Sequence, residues 1–261
     1  MRCFFIFISI FSPKINNIMN KSIYYLFAIC LIMLSLNACN KPLTGAQLLE
    51  NAIAYHDPNG QWDAFNGSFT VRMETPSQAS RNSRISINLQ DEIFDLVVTR
   101  DSITTKYTIN KGDCALALNN SSNFTEEMAS NNNLSCERAN MYKNYYTYLY
   151  GLPMKLKDDG THIHETVETK SFKGKDYLVL KATYDKAVGS DIWYFYFNPE
   201  TYAMEVYQFF KTDDAGNQKD DSGEYILLTE EAEVNTIKMP KARAWYFNKD
   251  DKYLGTDILN P

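Results

Sequence analysis

From Phe69 to Ile258 the chain keeps returning to a period of two. Phe69, Val71 and Met73 alternate with Thr70, Arg72 and Glu74, and Ile85, Ile87 and Leu89 alternate with Arg84, Ser86 and Asn88. Successive side chains of a strand point to opposite faces, so this alternation marks strands with one buried face. Phe94-Leu96-Val98, Ile103 to Ile109 and Cys114-Leu116-Leu118 continue the series. A second series covers 162–166, 176–184, 192–198, 204–211, 224–234, 243–248 and 253–258. Turn chemistry separates its members, at Asn198-Pro199-Glu200-Thr201 and at the polar tip Asp213 to Asp221. The count comes to about eleven or twelve strands.

Helical spacing interrupts this pattern twice. Ala46 to Tyr55 reads as a helix with Thr44 and Gln47 as a capping box, Leu49, Ala52, Ile53 and His56 on one face, and Asp57-Pro58-Asn59-Gly60 as its stop. After a short helical turn near Phe124 to Ser130, Ser135 caps a second helix running to Tyr150, with Gly151 and Pro153 ending it. Its expected apolar stripe is Met141, Tyr145, Tyr148 and Leu152, with Tyr142, Tyr146 and Leu149 beside it. Helices do not alternate with strands, which excludes a parallel α/β sheet. The expected fold is mainly β (α+β): a large curved antiparallel sheet, a half-barrel, with the N-terminal and mid-chain helices packed on its concave face. With no repeat and no linker, residues 46–261 read as a single domain.

Ahead of the domain, Ser22 to Ala38 is an apolar run preceded by Lys21 and followed by Cys39, the layout of an export signal ending in a lipoprotein cleavage box (Leu36-Asn37-Ala38-Cys39). Residues 1–38 read as signal peptide, Cys39 as the lipidated first mature residue and 39–45 as the tether. An uncleaved anchor helix is the alternative; the run is short for a bilayer span. A second apolar burst, Phe4 to Phe11, lies upstream of Met19-Asn20-Lys21, which is itself a complete start, so translation is expected to begin at Met19. Removing 1–38 takes away Arg2, Lys14 and Lys21 and no acids, moving the formal charge from −6 to −9. Such a domain has no electrostatic footprint for nucleic acid, and its hold on a membrane must come from the lipid. Cell-envelope placement follows, on the periplasmic face of the outer membrane. Cys114 and Cys136 remain in the domain, and an oxidising compartment favours a disulfide between them over two buried thiols.

The strongest local signal is aromatic. Ile192-Trp193-Tyr194-Phe195-Tyr196-Phe197 carries rings on both faces of one strand, so both faces must be covered. Trp193, Phe195 and Phe197 would line one side of a cavity, with Tyr145, Tyr148 and Leu152 of the helix as its lid. The same rings also suit a filled core. His162 and His164 have metal-ligand spacing on a strand, the weak basis for a metal-dependent hydrolase. No nucleophile elbow or phosphate loop occurs, Glu230, Glu231 and Glu233 read as a solvated face, and no enzyme activity or cofactor is expected.

Several stretches carry a resemblance. They are His56-Asp57-Pro58 with Trp62 and Phe65, the run Tyr145 to Met154, Phe172-Lys173-Gly174-Lys175-Asp176-Tyr177, and Asp191 to Thr201. With the lipobox, they resemble a family of uncharacterised envelope lipoproteins from Bacteroidota. More loosely, the architecture is similar to the lipoprotein-localisation factors of the LolA/LolB type, a half-barrel closed by helices over an apolar cavity. That resemblance implies a lipid-anchored protein holding an acyl chain or other hydrophobic ligand. The alternative is a structural or interaction module of the envelope without a ligand.

Overall fold

Tight turns set the register of the sheet. Lys111-Gly112, Lys173-Gly174 and Asn235-Thr236 each place two successive residues at positive φ between directly paired strands. That backbone twist matches the right-handed twist of the strands it joins. The computed structural model describes residues 42–261. The expected export signal, the start at Met19 and the lipidation site Cys39 lie outside the described residues.

Thirteen strands follow. They are β1 (Asn66–Thr75), β2 (Gln78–Asn88), β3 (Ile93–Arg100), β4 (Ile103–Asn110), β5 (Asp113–Leu118), β6 (Thr161–Ile163), β7 (Glu168–Phe172), β8 (Lys175–Tyr184), β9 (Ile192–Phe197), β10 (Met204–Phe210), β11 (Glu224–Val234), β12 (Ile237–Phe247) and β13 (Tyr253–Asn260). All pair antiparallel in the order β5-β4-β3-β2-β1-β13-β12-β11-β10-β9-β8-β6, with β7 sharing the outer edge of β8. The last strand lies beside the first and joins the two halves into one sheet. The strand Glu168–Phe172 is additional to those expected, and the strand expected from Arg243 begins at Ile237.

Three helices accompany the sheet among the described residues: α1 (Gly45–His56), α2 (Glu126–Asn131) and α3 (Cys136–Tyr150). The capping box at Thr44 and Gln47 forms as read from the sequence, and the Ser135 side chain accepts from Arg138 N–H. The Gly45 amide donates to Glu165 O at 2.8 Å, stitching the start of α1 to the loop after β6.

The sheet is strongly curled. Helix α3 is about 22 Å long at 1.5 Å per residue. It is joined to β5 by the disulfide Cys114–Cys136, and Tyr148 reaches Tyr184 on β8. These strands stand ten positions apart in the sheet order, about 48 Å if flat. Irregularities in pairing at Met73/Thr75, Met204/Val206 and Trp245/Tyr246 supply local bending. One core fills the concave side, from Leu48 and Ala52 of α1 through Phe69, Ile85, Phe94, Phe195, Phe197 and Ile237 to Leu149 of α3. A smaller cluster of Tyr177, Val179, Tyr196 and Val206 covers the opposite face of β8–β10, capped by Phe172 from β7. Both faces of the aromatic strand β9 are thus covered.

The helix stripe differs from expectation. Met141 is exposed, Tyr145 and Tyr148 are half-buried against the core, Leu152 is buried, and Ala139, Tyr146, Leu149 and Tyr150 form the most deeply buried face of the helix. Tyr146 donates its hydroxyl to Ser83 on the sheet and Tyr150 presents its ring to the Arg243 guanidinium, contacts that Met141 could not make.

Candidate functional site

The turn after α1 is built by its own polar side chains. Both Asp57 carboxylate oxygens accept amide protons, from Gln61 and Trp62, each at 2.8 Å. His56, 1 % exposed, donates from Nδ1 to Lys238 O at 2.8 Å, while Nε2 accepts the Met204 amide at 3.0 Å. Burial holds its pKa below the usual imidazole range. The His56-Asp57-Pro58 motif therefore clamps α1 to β10 and β12.

A cleft of about 930 Å³ lies beside α3. Its walls are helix α3, the β2–β3 turn and the loop between β8 and β9. Ile87, Leu89, Phe94, Val188, Tyr148 and Trp193 form the apolar lining, and Lys143, Lys155, Asp158, Glu92 and Asp191 bring polar groups. Trp193 stacks on Phe209 at 4.9 Å and meets Tyr148 edge-on at 5.9 Å. The hydroxyls of Tyr148 and Tyr184 share a 2.5 Å hydrogen bond that fastens the helix to β8. Burial pushes Tyr184 up to about 12 and raises Tyr148 well above the usual phenol range, so both present neutral hydroxyls at neutral pH. Lys155 pairs with Asp158 at the same wall.

Of the six residues expected to line a ligand face, Tyr148 and Trp193 line this cleft. Leu152, Phe195 and Phe197 are instead packed into the core at 2 %, 0 % and 0 % exposure. Strand β9 runs inward from Trp193, so its later rings meet core side chains of the sheet. Tyr145 stands edge-on to Tyr146 at 5.2 Å and does not line the cleft. His162 Nε2 lies 2.7 Å from Asp185 Oδ1 in an exposed pair, and His164 Nε2 lies 3.4 Å from Thr183 Oγ1. Among the described residues no group of three His, Cys, Asp or Glu side chains is placed to hold a metal ion, so the two histidines gain no third ligand.

The sequence reading missed a charged row beneath α3. Arg81 (β2), Met73 (β1), Asp257 (β13) and Arg243 (β12) are directly opposed across four neighbouring strands. All four lie in phase with the inward apolar positions. Arg243 is 1 % exposed, with its guanidinium carbon 3.8 Å from the Tyr150 ring centroid, and it donates to Pro240 O at 3.0 Å. Among the described residues no carboxylate oxygen comes within 4.0 Å of either guanidinium. Arg81 Nε, Arg243 Nε, Asp257 Oδ1 and the hydroxyls of Tyr150 and Tyr207 are buried without a protein partner. Each such atom costs about 1–3 kcal/mol. Burial pushes the Asp257 carboxyl up against the pull of Arg81 and Arg243. The signal was available: a charge in phase with an apolar alternation, as Arg243 is with Ile237 and Met239.

The family model described as "Family of unknown function (DUF6503)" matches residues 21–260. The chain belongs to this family. No curated protein matches this DUF6503 chain. Among solved structures, a LolA superfamily protein from Nitrosomonas europaea is similar at 12 % identity and a TM-score of 0.49, covering 84 % of this chain and 92 % of that one. A DUF1329 family protein from Desulfovibrio piger is similar at 10 % identity and a TM-score of 0.45, with the same coverage. Likeness at this level carries no functional weight. Among the described residues no helix is long and apolar enough to cross a membrane.

Proposed function

We propose that the protein is a lipid-anchored envelope protein, held through Cys39 to the periplasmic face of the outer membrane, that binds the acyl chain of a hydrophobic ligand in the cleft beside α3. The observation that carries the reading is the cleft itself. At about 930 Å³ it falls in the size range of small-molecule sites, and its lining pairs apolar rings with a few polar groups at the rim. Trp193 and Tyr148 supply large, rigid contact surfaces, and the neutral tyrosine hydroxyls bring no charge to the chain. The acidic surface keeps the domain off anionic membranes, leaving the lipid as its attachment.

The test is binding of a fluorescent fatty acid to the wild-type protein and to Trp193→Ala. Removing about 80 Å² of ring contact at about 25 cal/mol per Å² costs about 2 kcal/mol, or roughly 30-fold in Kd. Unchanged affinity in a folded variant overturns the reading. A module without a ligand is the second reading, favoured by the close packing of Leu152, Phe195 and Phe197. Absence of binding in the wild-type protein selects it.

A further inference from the structure

The charged row and the cleft are neighbours. Trp193 lines the cleft, and its ring centroid stands 6.1 Å from that of Tyr207. Tyr207 is fully buried on β10, and its partner across the sheet, Ile226, is paired in turn with Trp245. The Arg243 guanidinium reaches the Tyr207 hydroxyl, and Asp257 acts on that hydroxyl through space. One aromatic layer therefore separates the apolar cleft from buried polar atoms that have no protein partner.

The chemistry of those atoms selects a guest. Arg81 Nε and Arg243 Nε can only donate, the hydroxyls of Tyr150 and Tyr207 can donate or accept, and Asp257 Oδ1, when ionised, can only accept. The formal charges of Arg81, Arg243 and Asp257 leave one positive charge in excess. A buried charge is tolerated when it is paired and hydrogen-bonded. A guest that accepts several hydrogen bonds and carries one negative charge meets both requirements. Planar carboxylates suit guanidinium donors, and tyrosine hydroxyls add further donors at hydrogen-bonding range.

We propose that Arg81, Arg243, Tyr150 and Tyr207 form a buried anion subsite that takes the carboxylate of a fatty acid bound head-first, its chain lying in the cleft past Trp193. This inference rests on the cleft reading and names the ligand's head group. With Asp257 ionised the row carries one positive charge in excess, which one monoanion balances and a doubly charged phosphate head exceeds. Entering head-first leaves the chain against Tyr148 and Trp193, where the surface is apolar.

The experiment is calorimetric titration of the purified protein with palmitate, with its methyl ester and with the amine of equal chain length. Palmitate is expected to bind at least about tenfold more tightly than the ester, the factor that one charge-assisted hydrogen bond supplies. The amine is expected to bind more weakly than the ester. In Tyr207→Phe and in Arg81→Gln the ratio of acid to ester affinity is expected to fall towards one. Equal binding of acid and ester by the wild-type protein, or preference for the amine, overturns the anion subsite and leaves the cleft reading standing. An acid preference that survives both substitutions also overturns the assignment of these residues. Failure of all three amphiphiles to bind removes the cleft reading and the subsite with it.

Discussion

His56 ties the stability of the fold to pH in a way that one substitution isolates. Both ring nitrogens are engaged: Nδ1–H donates to Lys238 O, and Nε2 accepts from Met204 N–H. A second proton would break the Met204 bond and place a charge where the ring is 1 % exposed. The folded pKa is lowered, burial being the main cause. The unfolded chain therefore binds more protons below its own pKa of about 6.5, and stability falls as pH drops through that value. While the folded ring stays neutral, one site contributes up to about 1.4 kcal/mol between pH ~7.5 and pH ~5.5. The assay is guanidinium unfolding at both pH values for the wild-type protein and for His56→Gln. The variant is less stable throughout, and its stability difference between the two pH values is smaller by about 1 kcal/mol. An equal pH dependence in both proteins refutes the argument, whatever the absolute stability of the variant.

The disulfide makes a second expectation. Cys114 and Cys136 are 22 residues apart, and opening a loop of that length costs about 3 kcal/mol in the chain-entropy model. Replacing both by serine should lower the melting temperature by about 6–12 °C; a loss below about 1 kcal/mol contradicts the entropic account. Third, Gly223→Ala should cost about 2 kcal/mol or more, because φ is +72° and an added Cβ would lie 2.0 Å from Phe209 O. Gly216→Ala has a similar positive φ of +82° but open space, so about 1 kcal/mol is expected. Equal denaturation midpoints for the two variants would remove the steric component.

Much of the fold was legible because local chemistry and tertiary structure agree. The capping box, the Ser135 cap and the period-two runs each form where the residues place them. Strand β7 was hidden because Glu-Thr-Lys-Ser-Phe carries one apolar residue and pairs along an edge. The first half of β12 was hidden by Pro240, which lacks the amide proton that a central strand uses. The site was less legible. Helical spacing alone put Met141 on the buried stripe, since it ranks residues by apolarity; the sheet instead offered Ser83 and Arg81, which meet the Tyr146 hydroxyl at 3.2 and 3.5 Å. Likewise Arg243 and Asp257 sit 186 and 200 positions beyond Asp57 in a chain where charges usually mark solvent, and only the cross-strand register shows them facing each other.

The two rims of the sheet differ from its interior in one practical respect. One rim is β5, six residues long and tied to a helix through Cys114. The other is the outer side of β8, occupied first by the five residues of β7 and then by the three of β6. Neither rim exposes a long, flat ladder of free amides and carbonyls onto which a neighbouring copy can add a strand. Copies of this domain can therefore crowd together at high density without zipping into fibres, although nearly half of the described residues lie in strands.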